Sequence, residues 1–522
     1  MLAILSAGCL AAAIDKPVRV EGGQVSGVVS TRNASVVSFK GIPFAAPPVG
    51  DLRWRAPRKA VPWQGVKQAD KFGNSCIQRI VTESKPWTYE FMTHNEISED
   101  CLYLNVWTAA KATSEKRPVY VFLYGGGFNE GSGAVPAYDG DAMAQKGLVV
   151  VTINYRVGIF GYLAHPDLTK EADYHASGNY GLLDQIAALK WVHDNIAGFG
   201  GDSTKVTVGG QSAGGMSVHY LTASPLAKGL FVRAVIESGG STVSGVGISL
   251  SPRSLADAEA AGRKFADAKG AASIKELRAM SVADLTKPVA NAGGGGRGGG
   301  NPASGPIVDR YALPGAPLDI IAQGKQNDVS VLTGQNAGEL GGLVAGGAPV
   351  TAASYTAQAN RRYGARAEEF LKLYPAANDT EAVASQSASA RDQAMVAMYV
   401  WAKTREKTSK TKVYEYLWDH VLPGPDAAKY GAFHTSEVPY VLNTLYTSDR
   451  PFVPADRTIA DTMSSYWANF AATGDPNGKG LARWDPVGEK PEVMELGDKN
   501  AAVPSAGSPE KFKFFESYLT TK

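Results

Sequence analysis

One serine in the sequence stands in a setting suited to nucleophilic attack. Ser212 is the centre of a Gly-x-Ser-x-Gly motif (residues 210–214) that directly follows an apolar, β-branched run at residues 206–209. Small residues on both sides are what a tight strand-to-helix turn requires, because such a turn lifts the serine hydroxyl onto the N-terminus of the next helix. The motif therefore predicts that Ser212 attacks an acyl group.

A glycine-rich segment could stabilise the negative charge that this attack creates. Gly126 and Gly127 follow an apolar run at residues 118–124. Glycines let the backbone approach a substrate without a Cβ in the way, and several N–H groups aimed at one point stabilise an oxyanion. The sequence predicts that Gly126, Gly127 and Ala213 provide these donors.

A serine hydroxyl is a weak nucleophile at neutral pH, so a histidine must accept its proton. His434, in a loop, and His420, at the end of a predicted strand, are both candidates for this base. His219 is only two helical turns beyond Ser212 on the same predicted helix and cannot turn back to it. Its placement in a loop favours His434 as the base, and His420 stays the alternative.

A carboxylate must orient that histidine, and it is expected between the serine and the base along the chain. Glu339 comes a few residues after an apolar run at 329–333, so it would lie at the end of a strand. Asp309 and Asp328 are the alternatives. Spacing alone does not choose among the three.

The elements that must position these residues alternate along the chain. Short apolar runs are typical of strands buried on both faces, and a helix is predicted over residues 180–196. This alternation predicts a mostly parallel central sheet flanked by helices, and the serine turn makes it an α/β-hydrolase fold in one catalytic domain, residues 14–522. The predicted buried strands cover residues 118–124, 148–154, 206–209, 234–237, 329–333 and 412–417.

Two segments differ from this pattern. Apolar and polar residues alternate in segments from about residue 18 to 40, which predicts an N-terminal antiparallel meander. Residues from about 250 to 350 predict an inserted, cap-like region, with an alanine-rich helical part followed by a glycine-rich run at 293–300. That run lacks the Lys-Ser/Thr ending of a phosphate loop, so we interpret it as a flexible surface loop.

Composition excludes several classes of function. The 522 residues include 52 Lys and Arg against 50 Asp and Glu, which gives a formal charge of +2 and no basic surface for nucleic acid. No apolar run reaches the roughly 20 residues of a transmembrane helix. Because nucleophile, base and oxyanion donors are all protein groups, we expect no metal or organic cofactor. The expected partner is a small-molecule ester, and a monomer is favoured.

The first residues and the cysteines indicate export. Residues 1–13 are apolar and small and are interpreted as the remnant of a signal peptide. Cys76 and Cys101 are an even pair beyond that segment, which favours a disulfide over two free thiols. We therefore expect a secreted or periplasmic protein; a lipid anchor at Cys9 is the less favoured alternative.

Further segments of distinctive sequence occur in a fixed order: residues 39–50 (FKGIPFAAPPVG), 99–107 (EDCLYLNVW), 154–158 (NYRVG), 178–185 (GNYGLLDQ) and 199–202 (FGGD). With the serine motif, they resemble the type-B carboxylesterase family, which includes para-nitrobenzyl esterases and cholinesterases, over nearly the whole chain. The resemblance implies Glu339 as the acid, His434 as the base and a Cys76–Cys101 disulfide. It also implies that Ser238 supports the acid and base by hydrogen bonding.

Departures from the family pattern bear on the substrate. Gln211 precedes the nucleophile where the family usually has Glu, and Phe91 stands where cholinesterases have a tryptophan, with Trp87 close but not aligned. Both departures argue against choline esters. The triple glycine is similar to that of esterases that admit bulky alcohols.

The predicted function is the hydrolysis of short-chain or aromatic carboxylic esters, including esters of bulky alcohols, through an acyl-enzyme. Three aromatic residues that flank the catalytic segments are candidates for the substrate pocket: Phe128, Trp418 and Phe433. The alternative is a catalytically silent adhesion module, but such relatives lose a member of the triad, whereas all three are present here. A lipase would require a strongly apolar lid.

Overall fold

One central sheet of eleven strands organises the computed structural model, which describes residues 14, 16–240, 252–288, 305–339, 349–425 and 427–520. Residues 1–13 and 293–300, interpreted above as a leader remnant and a surface loop, lie outside the described residues. The strands are β1 (Val18–Val20), β2 (Gly23–Ser26), β3 (Val28–Val29), β4 (Val37–Pro43), β5 (Val66–Gln68), β6 (Ser75–Cys76), β7 (Ile97–Ser98), β8 (Tyr103–Thr108), β9 (Arg117–Leu123), β10 (Val149–Ile153), β11 (Gly201–Gln211), β12 (Arg233–Glu237), β13 (Ser330–Asn336), β14 (Val413–Asp419), β15 (Glu492–Gly497) and β16 (Ala501–Pro504).

The middle of the sheet is parallel, as the alternating sequence predicted. Its strand order is β16-β15-β14-β13-β12-β11-β9-β10-β8-β4-β3, and every neighbouring pair from β15 to β10 is parallel. These strands are apolar on both faces because helices cover both sides; in β10 all five residues are buried. The six predicted strands are all present, and β11 begins five residues earlier than predicted.

The N-terminal strands are antiparallel as predicted, but they divide between two sheets. β1 pairs antiparallel with β2, and β2 pairs in parallel with β5, whereas β3 and β4 form the antiparallel edge of the central sheet. The division falls at Gly27, where a Cβ would lie 2.6 Å from the carbonyl oxygen of Ser38. The chain leaves one sheet and passes against the other at this glycine.

Helices flank the sheet, and the one predicted over 180–196 spans Tyr180–Asn195. In the predicted insertion, three short helices each begin at a serine whose hydroxyl accepts a backbone N–H. The helices are α1 (Asp141–Gln145), α2 (Gly158–Tyr162), α3 (Pro166–Glu171), α4 (Tyr180–Asn195), α5 (Ala213–Ala223), α6 (Leu255–Ala268), α7 (Ile274–Ala279), α8 (Val282–Thr286), α9 (Pro317–Ala322), α10 (Ala352–Tyr363), α11 (Ala367–Leu373), α12 (Asp379–Glu406), α13 (Ala427–Tyr430), α14 (Val438–Val441), α15 (Pro454–Thr473) and α16 (Pro509–Thr520).

A disulfide closes the loop between β6 and β8. Cys76 and Cys101 are bonded and buried, which confirms the predicted pairing. Within the loop, the buried carboxylate of Glu90 accepts a hydrogen bond of 2.5 Å from Nε of Arg450. The loop is thereby fixed to the C-terminal part of the chain. Among the described residues, no helix is both long and apolar enough to cross a membrane.

Candidate active site

Ser212 occupies the turn between β11 and α5. Its backbone dihedrals are φ 57° and ψ −123°, a conformation that costs a non-glycine residue on the order of 1–3 kcal/mol. The flanking glycines are required because a Cβ at Gly214 would lie 2.0 Å from the carbonyl oxygen of Leu123, and one at Gly210 would lie 2.6 Å from the carbonyl carbon of Gly214. The local sequence thus forces the serine into a strained turn at the carboxyl end of β11.

Neighbouring strands hold this turn at the sheet edge. The backbone N–H of Ser212 donates to the carbonyl oxygen of Glu237 at 2.9 Å, and that of Ser238 donates to Gly334 at 2.8 Å. These bonds continue the parallel ladders past the ends of β11 and β12. The carboxyl ends of three adjacent strands, β11, β12 and β13, therefore bring residues from distant parts of the sequence together.

The predicted acid and base are in direct contact. Nδ1 of His434 lies 2.5 Å from Oε2 of Glu339. The other carboxylate oxygen, Oε1, accepts the backbone N–H of Asn336 at 3.0 Å and the hydroxyl of Ser238. Nε2 of His434 lies 3.4 Å from Nε2 of Gln211, the residue before Ser212, so the second ring nitrogen faces the serine turn.

This arrangement keeps Glu339 ionised. Burial alone would raise the pKa of Glu339, whose side chain is 19% exposed. The attraction and hydrogen bond of His434, the N–H of Asn336 and the hydroxyl of Ser238 outweigh burial and lower that pKa below its ordinary value. A carboxylate held in this way fixes the imidazole orientation and stabilises its protonated form.

The loop that carries His434 is held by contacts from two other segments, the disulfide loop and the end of β13. The indole N–H of Trp87, in the disulfide loop, donates to the carbonyl oxygen of His434 at 3.0 Å. The side-chain amide of Asn336 donates to Phe433 at 2.6 Å, and the backbone N–H of Gly338 donates to Ala432 at 2.9 Å. Sequence analysis did not assign Trp87 to this contact, because a hydrogen bond across 347 residues leaves no local pattern.

Two wholly buried glutamates lie behind the acid and base, and sequence analysis missed both. Burial raises the pKa of Glu237 and of Glu437 to about 8 in each case. Oε1 of Glu237 accepts the indole N–H of Trp467 at 2.7 Å, and Oε2 of Glu437 accepts Nδ2 of Asn336 at 2.5 Å. Both carboxyl groups are therefore predominantly protonated at neutral pH.

The three predicted oxyanion donors lie at the ends of β9 and β11. Gly126 and Gly127 have φ values of 106° and 62°, which glycine adopts without a steric penalty. Ala213 is the first residue of α5, so its N–H has no acceptor within the helix. A Cβ at Gly126 would lie 2.2 Å from the carbonyl oxygen of Glu130, whereas among the described residues one at Gly127 would meet only Nδ2 of Asn129, at 3.9 Å.

The alternative bases and acids lie in other networks. His420 is bonded to Asp456 and Asp498, at 3.0 and 2.7 Å. Burial lowers the pKa of His219 to about 4, so that histidine is neutral inside the core. Asp309 accepts two backbone N–H groups of its own turn. Asp328 is tied to the end of α12 and the segment that follows it.

The three candidate pocket aromatics are all buried. Phe128 packs against the ring of Tyr162, with centroids 5.4 Å apart. Trp418 donates from its indole to Oγ of Ser436 at 3.1 Å. Phe433 lies between the rings of Trp87 and Phe91 in the disulfide loop. These contacts account for their burial, and contact with a substrate stays a prediction.

Comparisons with known proteins identify the family to which this chain belongs. The Carboxylesterase family matches residues 14–515. Fumonisin B1 esterase of Sphingopyxis macrogoltabida is 36% identical over 96% of this chain and 91% of its own. Human cocaine esterase is 31% identical over 96% of this chain and 91% of its own. A solved structure of PNB esterase superposes with a TM-score of 0.79 at 30% identity, covering 96% of this chain and 99% of the other.

No group of three or more histidine, cysteine or acidic residues in the described ranges is arranged to hold a metal ion. The sheet, the strained serine turn and the acid–base pair occur together in a chain that matches one family over almost its full length. The chain therefore belongs to the carboxylesterase family, and it is a carboxylic-ester hydrolase with an α/β-hydrolase fold.

Proposed function

We propose that this enzyme cleaves its esters with Ser212 as nucleophile, His434 as general base and Glu339 as the acid that orients the histidine. The observation that carries the proposal is the continuous set of hydrogen bonds from Ser238 through Glu339 to Nδ1 of His434, beside the serine turn. An imidazole bound to a carboxylate through Nδ1 presents Nε2 as the proton acceptor.

Each turnover has two halves. In the first, Oγ of Ser212 bonds to the ester carbonyl carbon while Nε2 of His434 takes the hydroxyl proton. Collapse of the tetrahedral intermediate breaks the bond to the alcohol oxygen, which leaves with that proton. In the second half, His434 takes a proton from water, the hydroxide attacks the acyl-enzyme, and Ser212 leaves with the proton as the carboxylic acid is released.

The N–H groups of Gly126, Gly127 and Ala213 stabilise the oxyanion in both halves. Such donors are each worth about 3 kcal/mol in the transition state, because they are already oriented before the charge forms. Open space beside Gly127 supports the admission of bulky alcohols. The neutral amide of Gln211 offers no charge to a cationic substrate, which argues against choline esters. One relative is named as an esterase of fumonisin B1, so fumonisin B1 belongs among the test substrates.

The disulfide bears on where the enzyme works. Disulfides persist in oxidising compartments. The buried Cys76–Cys101 bond therefore supports a secreted or periplasmic location, in which the enzyme acts as a monomer on small esters.

The test is hydrolysis of para-nitrophenyl esters from acetate to palmitate. Ser212→Ala is expected to lower kcat/KM by about 10⁴-fold or more, and the wild type is expected to prefer short chains. Ser203→Ala, at the far end of β11, is the matched control and keeps full activity. Substantial hydrolysis by a purified Ser212→Ala enzyme would contradict the proposal, and a preference for palmitate would assign the enzyme to the lipases.

A further inference from the structure

A cavity of about 630 Å³ lies directly against the candidate acid. Ser238 and Glu339 form part of its wall, and most of the rest of the described wall comes from α10, α11, α12, α13 and the end of β13. Its volume is within the range of small-molecule sites. Glu339 lines the cavity and is bonded to His434, so the cavity is adjacent to the proposed catalytic base.

The wall of this cavity is rich in positive charge. Arg362, Arg391 and Lys429 come from three different helices and all line it. Nη2 of Arg391 lies 2.9 Å from the carboxylate of Asp392, so its charge is partly balanced. Glu339 is the only carboxylate among the described lining residues, and it is already bonded to His434. The described lining is therefore net positive.

Lys429 contributes most clearly to this charge. Among the described residues no carboxylate oxygen lies within 4.0 Å of its ammonium group, which instead lies 5.1 Å from the ring centroid of Tyr430. An exposed lysine at the mouth of a cavity attracts anions over the Debye length, about 8 Å at physiological salt.

A buried donor points to the same kind of ligand. Gln393 is 2% exposed and lines the cavity, yet its side-chain Nε2 has no hydrogen-bond acceptor among the residues that the structure describes. Buried donors are normally paired, so an acceptor brought by a ligand would complete this site. The aromatic rings of Tyr355, Tyr363 and Phe370 form an apolar part of the wall, which suits an organic anion better than a bare inorganic ion.

From these contacts we propose that the cavity binds a free carboxylate carried by the ester substrate, so that the enzyme favours esters with an additional carboxylate group over neutral esters of the same size. Arg362 and Lys429 attract the carboxylate, Gln393 donates a hydrogen bond to it, and the aromatic wall packs against the carbon skeleton. This inference rests on the proposed catalytic role of Ser212 and adds a substrate class to it.

The test uses two pairs of rigid esters that differ only in charge. Mono-(4-nitrophenyl) terephthalate is compared with its methyl ester, and 4-acetoxybenzoate with methyl 4-acetoxybenzoate, so that the carboxylate is on the acyl side in one pair and on the alcohol side in the other. In at least one pair the wild type is expected to show a kcat/KM about tenfold higher for the anionic ester, and this preference should fall as salt is added.

Lys429→Met and Arg362→Met are each expected to reduce that preference by about 3- to 5-fold, with the neutral ester unchanged. Lys429→Arg should retain the preference, and Lys264→Met, which removes an exposed lysine from α6, should have no effect. The proposal is overturned if neither pair shows a preference, or if folded Met variants lose the anionic and neutral esters equally. Loss of all esterase activity in the Ser212→Ala enzyme is measured separately, so failure of the substrate inference is distinguishable from failure of the catalytic proposal.

Discussion

The serine turn and the histidine loop meet at one edge of the sheet but are built in opposite ways. The turn is determined by adjacent residues, since Gly210 and Gly214 leave no room for any other side chain and Ser212 takes its strained backbone as a result. The loop around His434 depends on residues far away in sequence, Trp87 and Asn336 among them. A nucleophile can thus be set by a short motif, whereas the base requires the completed fold.

The largest effect should come from removing the base itself. His434→Ala is expected to lower kcat/KM by about 10⁴-fold, because His434 is the proposed acceptor of the serine proton. His420→Asn is the matched control: it breaks the contacts to Asp456 and Asp498 without touching the serine, and should affect stability more than activity. The measurement is kcat/KM on para-nitrophenyl acetate together with thermal unfolding. Equal losses for both variants would mean that the histidines were assigned wrongly.

The two glycines proposed as oxyanion donors, Gly126 and Gly127, allow a comparison within one turn. Gly126→Ala places a Cβ 2.2 Å from the backbone of Glu130 and should displace the donors, lowering kcat by about 10²- to 10³-fold. Gly127→Ala has space for its methyl group and should cost less with para-nitrophenyl acetate, although its positive φ adds strain. Its loss should grow for esters of tertiary alcohols. Identical losses of activity for the two variants on all esters would contradict the inference that Gly127 has more room for a methyl group than Gly126.

Trp87→Phe tests how far the disulfide loop supports the base. The substitution keeps an aromatic ring against Phe433 but removes the indole donor to the carbonyl oxygen of His434. We expect kcat to fall by about 3- to 10-fold, consistent with the loss of one hydrogen bond of about 1 kcal/mol. Tyr89→Phe, in the same loop and 61% exposed, serves as the control. A KM change alone would instead place Trp87 among substrate contacts.

The dependence of stability on pH, rather than activity, should separate two kinds of buried carboxyl group, whose contributions differ in sign. Folded Glu237 holds its proton up to about pH 8, whereas the unfolded chain releases it near 4.5. The folded state thus binds more protons in this window, so the unfolding free energy should fall by on the order of a few kcal/mol as pH rises through it. The pKa of Glu437 is also raised, so its contribution to the pH dependence of stability has the same sign.

Glu339 behaves oppositely, because its pKa is lowered in the folded state. It therefore adds stability at pH values above the ordinary pKa of a glutamate, and that stability is lost as pH falls through the lowered pKa. Urea unfolding at pH 5, 6.5 and 8 measures the slope. Glu237→Gln, a neutral replacement of the same shape, should flatten it. If the unfolding free energy of the wild type instead rises with pH between 5 and 8, Glu237 and Glu437 are ionised in the folded protein.

The sequence allowed the local features to be predicted and left the distant ones open. The strand runs, the serine motif and the glycines after β9 are local patterns, and the structure places them as expected. From spacing alone the acid stayed open between Glu339, Asp309 and Asp328, because loops decide which carboxylate reaches the histidine. The resemblance to known esterases selected Glu339, which is the one in contact with His434.

Other features could not be predicted because they depend on burial in three dimensions. Glu237 ends an apolar strand and Glu437 follows a loop histidine, and neither position shows in sequence that its carboxyl group is wholly enclosed. The N-terminal strands were expected as one meander, yet Gly27 divides them between two sheets. Strand pairing of this kind is set by packing against β8, not by the alternation of residues.

Covalent labelling tests the central claim most directly. The purified enzyme is treated with diethyl para-nitrophenyl phosphate, which phosphorylates activated serines, and the labelled peptide is identified by mass spectrometry. One diethylphosphoryl group per chain on Ser212, with loss of activity in proportion and no labelling of the His434→Ala enzyme, is the predicted result. Inactivation with the label on another residue, or labelling of Ser212 that leaves esterase activity intact, would contradict the account.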